Sequence, residues 1–240
     1  MQKIRRRPDF VHHQKTGILS VIREVVFGVE DGMISTLGVL TGIAIGTNSH
    51  SVVILSGFVV IIVESISMGV GSYLSSKSVK EVGERKLKEE KIELRERPEA
   101  EKKELVEMYI RDGWPPNLAK EMALVASKNK FLFLQEMAYR ELRIYPDKLE
   151  KPIRGGVSMF FSYIIGGSIP ILPYLFFPIS SALMLSMGIT LLGLFILGSI
   201  TTKFTKRRWW KAGFEMFFVA GIAALVGYVV GAVANSFIVR

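Results

Sequence analysis

The chain has 240 residues, 31 Lys and Arg against 22 Asp and Glu, a net charge of +9 and no cysteine. The lack of cysteine excludes disulfides and thiolate metal sites. A content of 49% hydrophobic and 22% charged residues fits a membrane chain only if the two kinds are segregated, and they are: residues 77–151 hold 16 of the acidic and 18 of the basic side chains. The positive excess lies at Lys3–Arg7 and Lys203–Lys211, beside apolar stretches, where membrane-flanking cations belong. Lipid is therefore the expected partner, and nucleic acid is not.

In chain order, the N-terminus MQKIRRRPDFVHHQKTG is too polar for a cleavable signal peptide. Five stretches then follow that are long enough for the ~20 residues a bilayer requires: Val26–Gly46, Ser51–Tyr73, Val157–Phe177, Ile179–Thr202 and Ala212–Val239. Lys and Arg near span ends mark the cytoplasmic side. The RRR cluster, the charged segment 77–151 and KFTKRRWWK are then cytoplasmic, with Trp209 and Trp210 as interface anchors, and the uncharged joints GTNSHS and FFPIS are outside. This predicts a cytoplasmic N-terminus and an external C-terminus.

The expected fold is an all-α membrane protein with five transmembrane helices and a three-helix cytoplasmic insertion between spans two and three. Its expected units are 1–76 (N-terminal tail and spans one and two), 77–151 (the insertion) and 152–240 (spans three to five). Stripes of small residues run along Gly28, Gly32 and Ser35, along Gly38, Gly42 and Gly46, and along Ala220, Ala224, Gly227 and Gly231. They suit close helix packing, either within the chain or in a homodimer. Gly166, Gly167, Pro170 and Pro173 are expected to bend or break the third span.

The first span carries Glu30 and Asp31, and intramembrane acids are costly and usually functional. Asp31 lies 15 residues before Gly46, about 22 Å inward at 1.5 Å per residue. Counting from Ser51 along the antiparallel second span, Glu64 and Met68 lie about 20 and 26 Å in. Glu64 and Met68 share a helix face. Two carboxylates and a thioether at one depth suit a divalent transition metal. Glu30 points about 100° away from Asp31 and is expected to pair elsewhere. Glu24, two turns below Asp31, is either a cytoplasmic-side relay or is neutralised by Arg23. Glu215 is expected to pair with Lys211, four residues before it.

The second span has no proline before Pro98, so one long helix should protrude into the cytoplasm. A second helix is expected over Glu99–Arg111 and a third over Pro116–Ile144. Leu105, Met108, Tyr109, Leu118, Met122, Val125, Phe131, Leu134, Met137 and Leu142 would supply their buried face. Glu90 with Glu93, Glu101 with Glu104, and Met137 with Glu141 are same-face pairs. On spacing alone these are either solvated charge or a metal cluster.

The runs EDGMISTLGVLTG, SISMGVGSYLSSKS and YIIGGSIPILPYLF, with the acidic helical insertion between the last two, resemble the vacuolar iron transporter family from Arg23 onward. The resemblance implies a dimeric five-span transporter that moves Fe²⁺, and often Mn²⁺, out of the cytosol in exchange for protons, with no organic cofactor. It implies that Asp31 and Met68 match the family's intramembrane metal residues. It also implies that Glu90, Glu93, Glu101, Glu104, Met137 and Glu141 match the metal ligands of the insertion. The chain departs from the family at Ala138, where a second Met is common, and at Val60, where plant members carry an acid; here Glu64 stands one turn later.

An exporter at the plasma membrane, if prokaryotic, or at the vacuolar membrane, if eukaryotic, is thus the expectation. The alternative is a membrane-anchored metal sensor or store without translocation. An iron oxidase is disfavoured: a ferritin-like site needs Glu-x-x-His, and none of His12, His13 and His50 follows such a Glu.

Overall fold

The structure, a computed structural model, describes residues 17–145 and 151–238. The Lys3–Arg7 cluster lies outside the described residues. These form eight helices and no strand: α1 Gly17–Thr47, α2 His50–Glu96, α3 Pro98–Arg111, α4 Pro116–Ser127, α5 Lys130–Arg140, α6 Pro152–Phe176, α7 Ile179–Thr205 and α8 Trp209–Ile238. Five of them, α1, α2, α6, α7 and α8, are long and apolar enough to cross a membrane.

The 47 residues of α2 amount to about 70 Å of helix, over twice the ~30 Å of hydrocarbon. Its protruding half is laced by the i, i+4 pairs Lys77–Glu81, Lys80–Glu84 and Arg85–Glu89 at 3.7, 3.4 and 3.9 Å, each worth about 0.3–0.5 kcal/mol. Pro98 ends it by forcing Arg97 out of helical geometry, to φ −133° and ψ 48°, because the proline ring crowds the preceding residue. The same proline opens α3 at a first-turn position, where no backbone donor is needed.

In the apolar bundle, α6 packs between α1 and α2. A Cβ at Gly32 would lie 2.5 Å from the Tyr163 carbonyl oxygen, and one at Gly42 would lie 3.0 Å from that of Gly227. The small-residue stripes of α1 therefore face α6 on one side and α8 on the other, all within one chain. The third span is not broken: Pro170 and Pro173 lie inside a continuous α6. Both are buried, and Ser186 of α7 donates to the Pro170 carbonyl at 2.7 Å, tying α7 to α6 at this turn.

The segment between α2 and α6 corrects the sequence reading in two ways. The third expected helix is two helices, parted at Lys128–Asn129. The Asn129 side chain accepts from the backbone N–H groups of Phe131 and Leu132 at 3.0 and 3.2 Å, an N-cap that starts α5 afresh. The buried face is also shifted. Leu118, Val125 and Phe131 are exposed, while Ala119, Ala123, Ala126 and Phe133 join Leu105, Met108, Tyr109 and Met137 in the core. Alanines let α4 approach α3 closely, so the packing uses small residues where size alone would favour the large ones. Leu94 near the end of α2 packs on this core.

Candidate functional site

Three helices deliver carboxylates to one point beyond the end of the apolar bundle. Glu90 comes from the last turns of α2, Glu101 from the first turn of α3 and Glu141 from the C-terminal cap of α5. One oxygen of each lies within 4.8 Å of the other two. Glu90 and Glu101 are buried, at 2% and 7% exposure, and Glu90 Oε1 has no hydrogen-bond partner among the described residues. Opposite oxygens around one ion with bonds of ~2.0–2.6 Å stand about 4–5 Å apart, so the triad matches a single hard or borderline divalent cation. Glu93 and Glu104 lie close enough to act electrostatically on this group. Met137 is fully buried beneath Glu141, in the apolar core.

The electrostatics are those of a site awaiting positive charge. Burial, then the charge and hydrogen bond of Glu141, then Glu101 and Glu93, push the Glu90 carboxyl up to about 8. Burial first and then Glu104, Glu93 and Glu141 raise Glu101, against a smaller opposing effect of Arg97. Glu104 is raised too, by burial and then by Glu141, Glu107 and Glu93, with Arg111 opposing.

A second group, absent from the sequence reading, braces α5. The Tyr109 hydroxyl and Arg140 Nε both donate to Glu136 Oε2 at 3.0 Å. Arg140 also pairs with Asp112 and lies over the Tyr109 ring, 4.3 Å from its centroid. This clasp fixes the register of α5 on α3 and so the place of Glu141. The i, i+4 spacing of Glu136 and Arg140 was the only signal for it in the sequence.

Within the apolar bundle, Asp31 is half-buried on α1, Met68 is half-buried on α2 and Glu64 is exposed on α2. Asp31 and Glu64 lie within electrostatic reach of one another. Tyr163 of α6, fully buried, shares a 2.6 Å hydrogen bond with Ser35, and Ser35 donates at 2.6 Å to the Asp31 carbonyl oxygen. Tyr163 thus pins the turn of α1 that carries Asp31, a role with no signature in the sequence.

Glu24 is buried at 6% exposure. It accepts from Arg23 Nη2 at 2.7 Å and Nε at 3.1 Å, and from Ser72 of α2 at 2.9 Å. Arg23 does neutralise it, and Ser72 adds a tie between α1 and α2. Glu30 pairs with no cation among the described residues. The expected Glu215–Lys211 pair does not form: Glu215 pairs with Arg207 at 3.2 Å, and Lys211 lies over the Trp210 ring. The α7–α8 loop brings Arg207 back along α8, and the indole competes for the lysine.

The model of the VIT family matches residues 22–232. Among curated proteins, Vacuolar iron transporter 1 of Arabidopsis thaliana is 29% identical over 209 residues, covering 87% of this chain and 84% of its own. Vacuolar iron transporter 1 of Oryza sativa subsp. japonica is 28% identical over 220 residues, covering 90% and 87%. The Vacuolar iron transporter of Toxoplasma gondii is 29% identical over 220 residues, covering 88% and 73%.

Proposed function

The chain belongs to the VIT family, and on that premise we propose that it is a multi-pass membrane transporter that moves Fe²⁺, and also Mn²⁺, out of the cytoplasm in exchange for protons. The observation that carries this reading is a pair of acids at the apolar bundle, Asp31 half-buried on α1 and Glu64 exposed on α2, within electrostatic reach of one another. Storage or sensing needs no carboxylate there, and each costs about 3 kcal/mol or more in hydrocarbon. A cation bound there offsets that cost.

The segment 77–151 stands on the cytoplasmic side in this proposal, as the positive-inside rule requires of its flanking cations. Glu90, Glu101 and Glu141 take the ion from solution, with Glu93 and Glu104 adding negative potential and Met137 a soft donor beneath. Glu24, at the level where α1 enters the bundle, relays it inward by exchanging its Arg23 partner for the ion. Asp31, Glu64 and Met68 hold it in transit. Protons compete with the metal for the same oxygens, so an acidic far side releases the ion and reloads the carboxylates with protons.

A homodimer completes the pathway. Glu64 is exposed on α2 among exposed Ile62, Val63 and Ile66. A single chain would turn that carboxylate toward lipid, and a second copy packed along α2 would enclose it between two sets of ligands. The membrane is the plasma membrane in a prokaryote and the vacuolar membrane in a eukaryote.

Metal uptake by proteoliposomes, with and without a pH gradient, tests the proposal. Uptake that grows with an acidic lumen supports it. Metal binding without uptake would leave a sensor or a store instead, and uptake indifferent to the gradient would remove proton exchange.

A further inference from the structure

A cavity of about 540 Å³ opens where α2 leaves the apolar bundle and α6 enters it, lined by Lys80, Lys151 and Arg154 together with the apolar Pro152, Ile153 and Val157. The three cations come from two helices far apart in sequence. Lys80 pairs with the exposed Glu84 at 3.4 Å. Lys151 and Arg154 have no ion-pair partner among the described residues. The nearest buried acid, Glu24, whose Cγ would stand 3.9 Å from a Cβ at Gly155, is already taken up by Arg23 and Ser72.

The depth is as informative as the charge. The 25 residues of α6 span about 37 Å, more than the ~30 Å of hydrocarbon, so its first turn stands at headgroup level when Phe176 reaches the opposite boundary. Below that turn, Ile153, Val157, Phe161 and Ile165 repeat every four residues along one outer face of α6 and are all exposed. A triad of cations at headgroup level above an apolar track has the chemistry of one molecule class, an anionic headgroup with an acyl chain attached.

We propose that this cavity binds an anionic phospholipid, with the headgroup phosphate held by Lys80, Lys151 and Arg154 and one acyl chain along Ile153, Val157, Phe161 and Ile165. The lipid would tie the base of the protruding half of α2 to the membrane surface.

The test uses the full chain in nanodiscs of mixed phosphatidylglycerol and phosphatidylcholine, followed by native mass spectrometry of the released protein. The wild type should retain phosphatidylglycerol over phosphatidylcholine by about tenfold or more, as several basic groups acting together at a surface allow. The variant K80Q/K151Q/R154Q should lose that preference. The variant K206Q/R208Q/K211Q, which removes equal charge from the α7–α8 loop and the first turn of α8, should keep it. Should the first triple fail to insert, K151E alone, on an exposed side chain, should show the same loss. No preference in the wild type, or equal loss in the loop variant, would overturn the site in favour of diffuse surface attraction. Displacement of the bound species by millimolar inorganic phosphate would overturn the lipid in favour of a free phosphate-bearing solute.

Discussion

The two carboxylate sites differ in how complete they are within one chain. In the insertion, Glu90, Glu101 and Glu141 converge from three helices over an apolar core, and the Tyr109–Glu136–Arg140–Asp112 clasp holds the last of them in place. In the apolar bundle, Asp31 is half-buried and Glu64 is exposed, and the hydrogen-bonded support is the Tyr163–Ser35 link behind Asp31. A closed site suits capture, because its ligands are set before the ion arrives. An open one suits passage, since an ion held by few ligands at a protein surface leaves readily and its shell is finished by whatever packs against it.

The sharpest way to break that contrast is Glu64→Leu. If the membrane site is completed by a second copy, this change should lower metal flux by about 100-fold, equivalent to ~2.7 kcal/mol of barrier, while the dimer survives in mild detergent and metal affinity at the insertion is unchanged. Flux near the wild-type level, measured in proteoliposomes, would mean that Glu64 merely faces lipid.

Glu90→Gln should separate binding from folding. It removes a ligand and should weaken metal binding by about tenfold or more, since one carboxylate fewer shares the ion's charge. It also removes a buried carboxyl that resists ionisation, so the metal-free variant should melt at higher temperature than the wild type above pH 8. Calorimetry and thermal melting read the two effects, and a fall in both would assign Glu90 a purely structural role.

The pH dependence of the metal-free protein follows from the same residue. The Glu90 carboxyl stands at about 8 when folded, against an ordinary value of 4.5. Between those values the folded state holds more protons than the unfolded one, so stability falls as pH rises through that window. Protection against hydrogen exchange at α3–α5, taken relative to the intrinsic base-catalysed rate at each pH, should fall from pH 5 to pH 8 without metal. Saturating Mn²⁺ should reverse the trend, because it binds the folded carboxylates. Protection indifferent to pH would place Glu90 in contact with water.

The smallest expected effect is at the clasp. Arg140→Lys keeps the charge but loses the planar fork and the stacking on Tyr109. It should weaken metal binding by several-fold, within the range known for groups that orient ligands, and leave maximal flux unchanged.

How much of this was legible in the sequence depended on whether a residue acts along its own helix or across to another. The five spans, the long α2 and its end at Pro98 follow from hydropathy and proline alone. So does the clustering of acids around Pro98. Which glutamates converge does not: Glu141 joins Glu90 and Glu101 only because Asn129 restarts the chain as α5, and that cap was read as the middle of one helix. The alanines that α4 buries, Ala119, Ala123 and Ala126, carry no signal by size, because large apolar residues stand beside them in the sequence. Ser72, Ser35 and Tyr163 act between helices, and periodicity within one helix carries no trace of them.

In the proposed pathway the insertion gathers the ion and the membrane site carries it. Initial rates of Fe²⁺ or Mn²⁺ uptake, measured against metal concentration for Glu90→Gln and Asp31→Asn side by side, test it most directly. The account predicts that Glu90→Gln raises KM and leaves the maximal rate near that of the wild type, whereas Asp31→Asn abolishes uptake at every concentration. Wild-type uptake by a folded Asp31→Asn protein would contradict it.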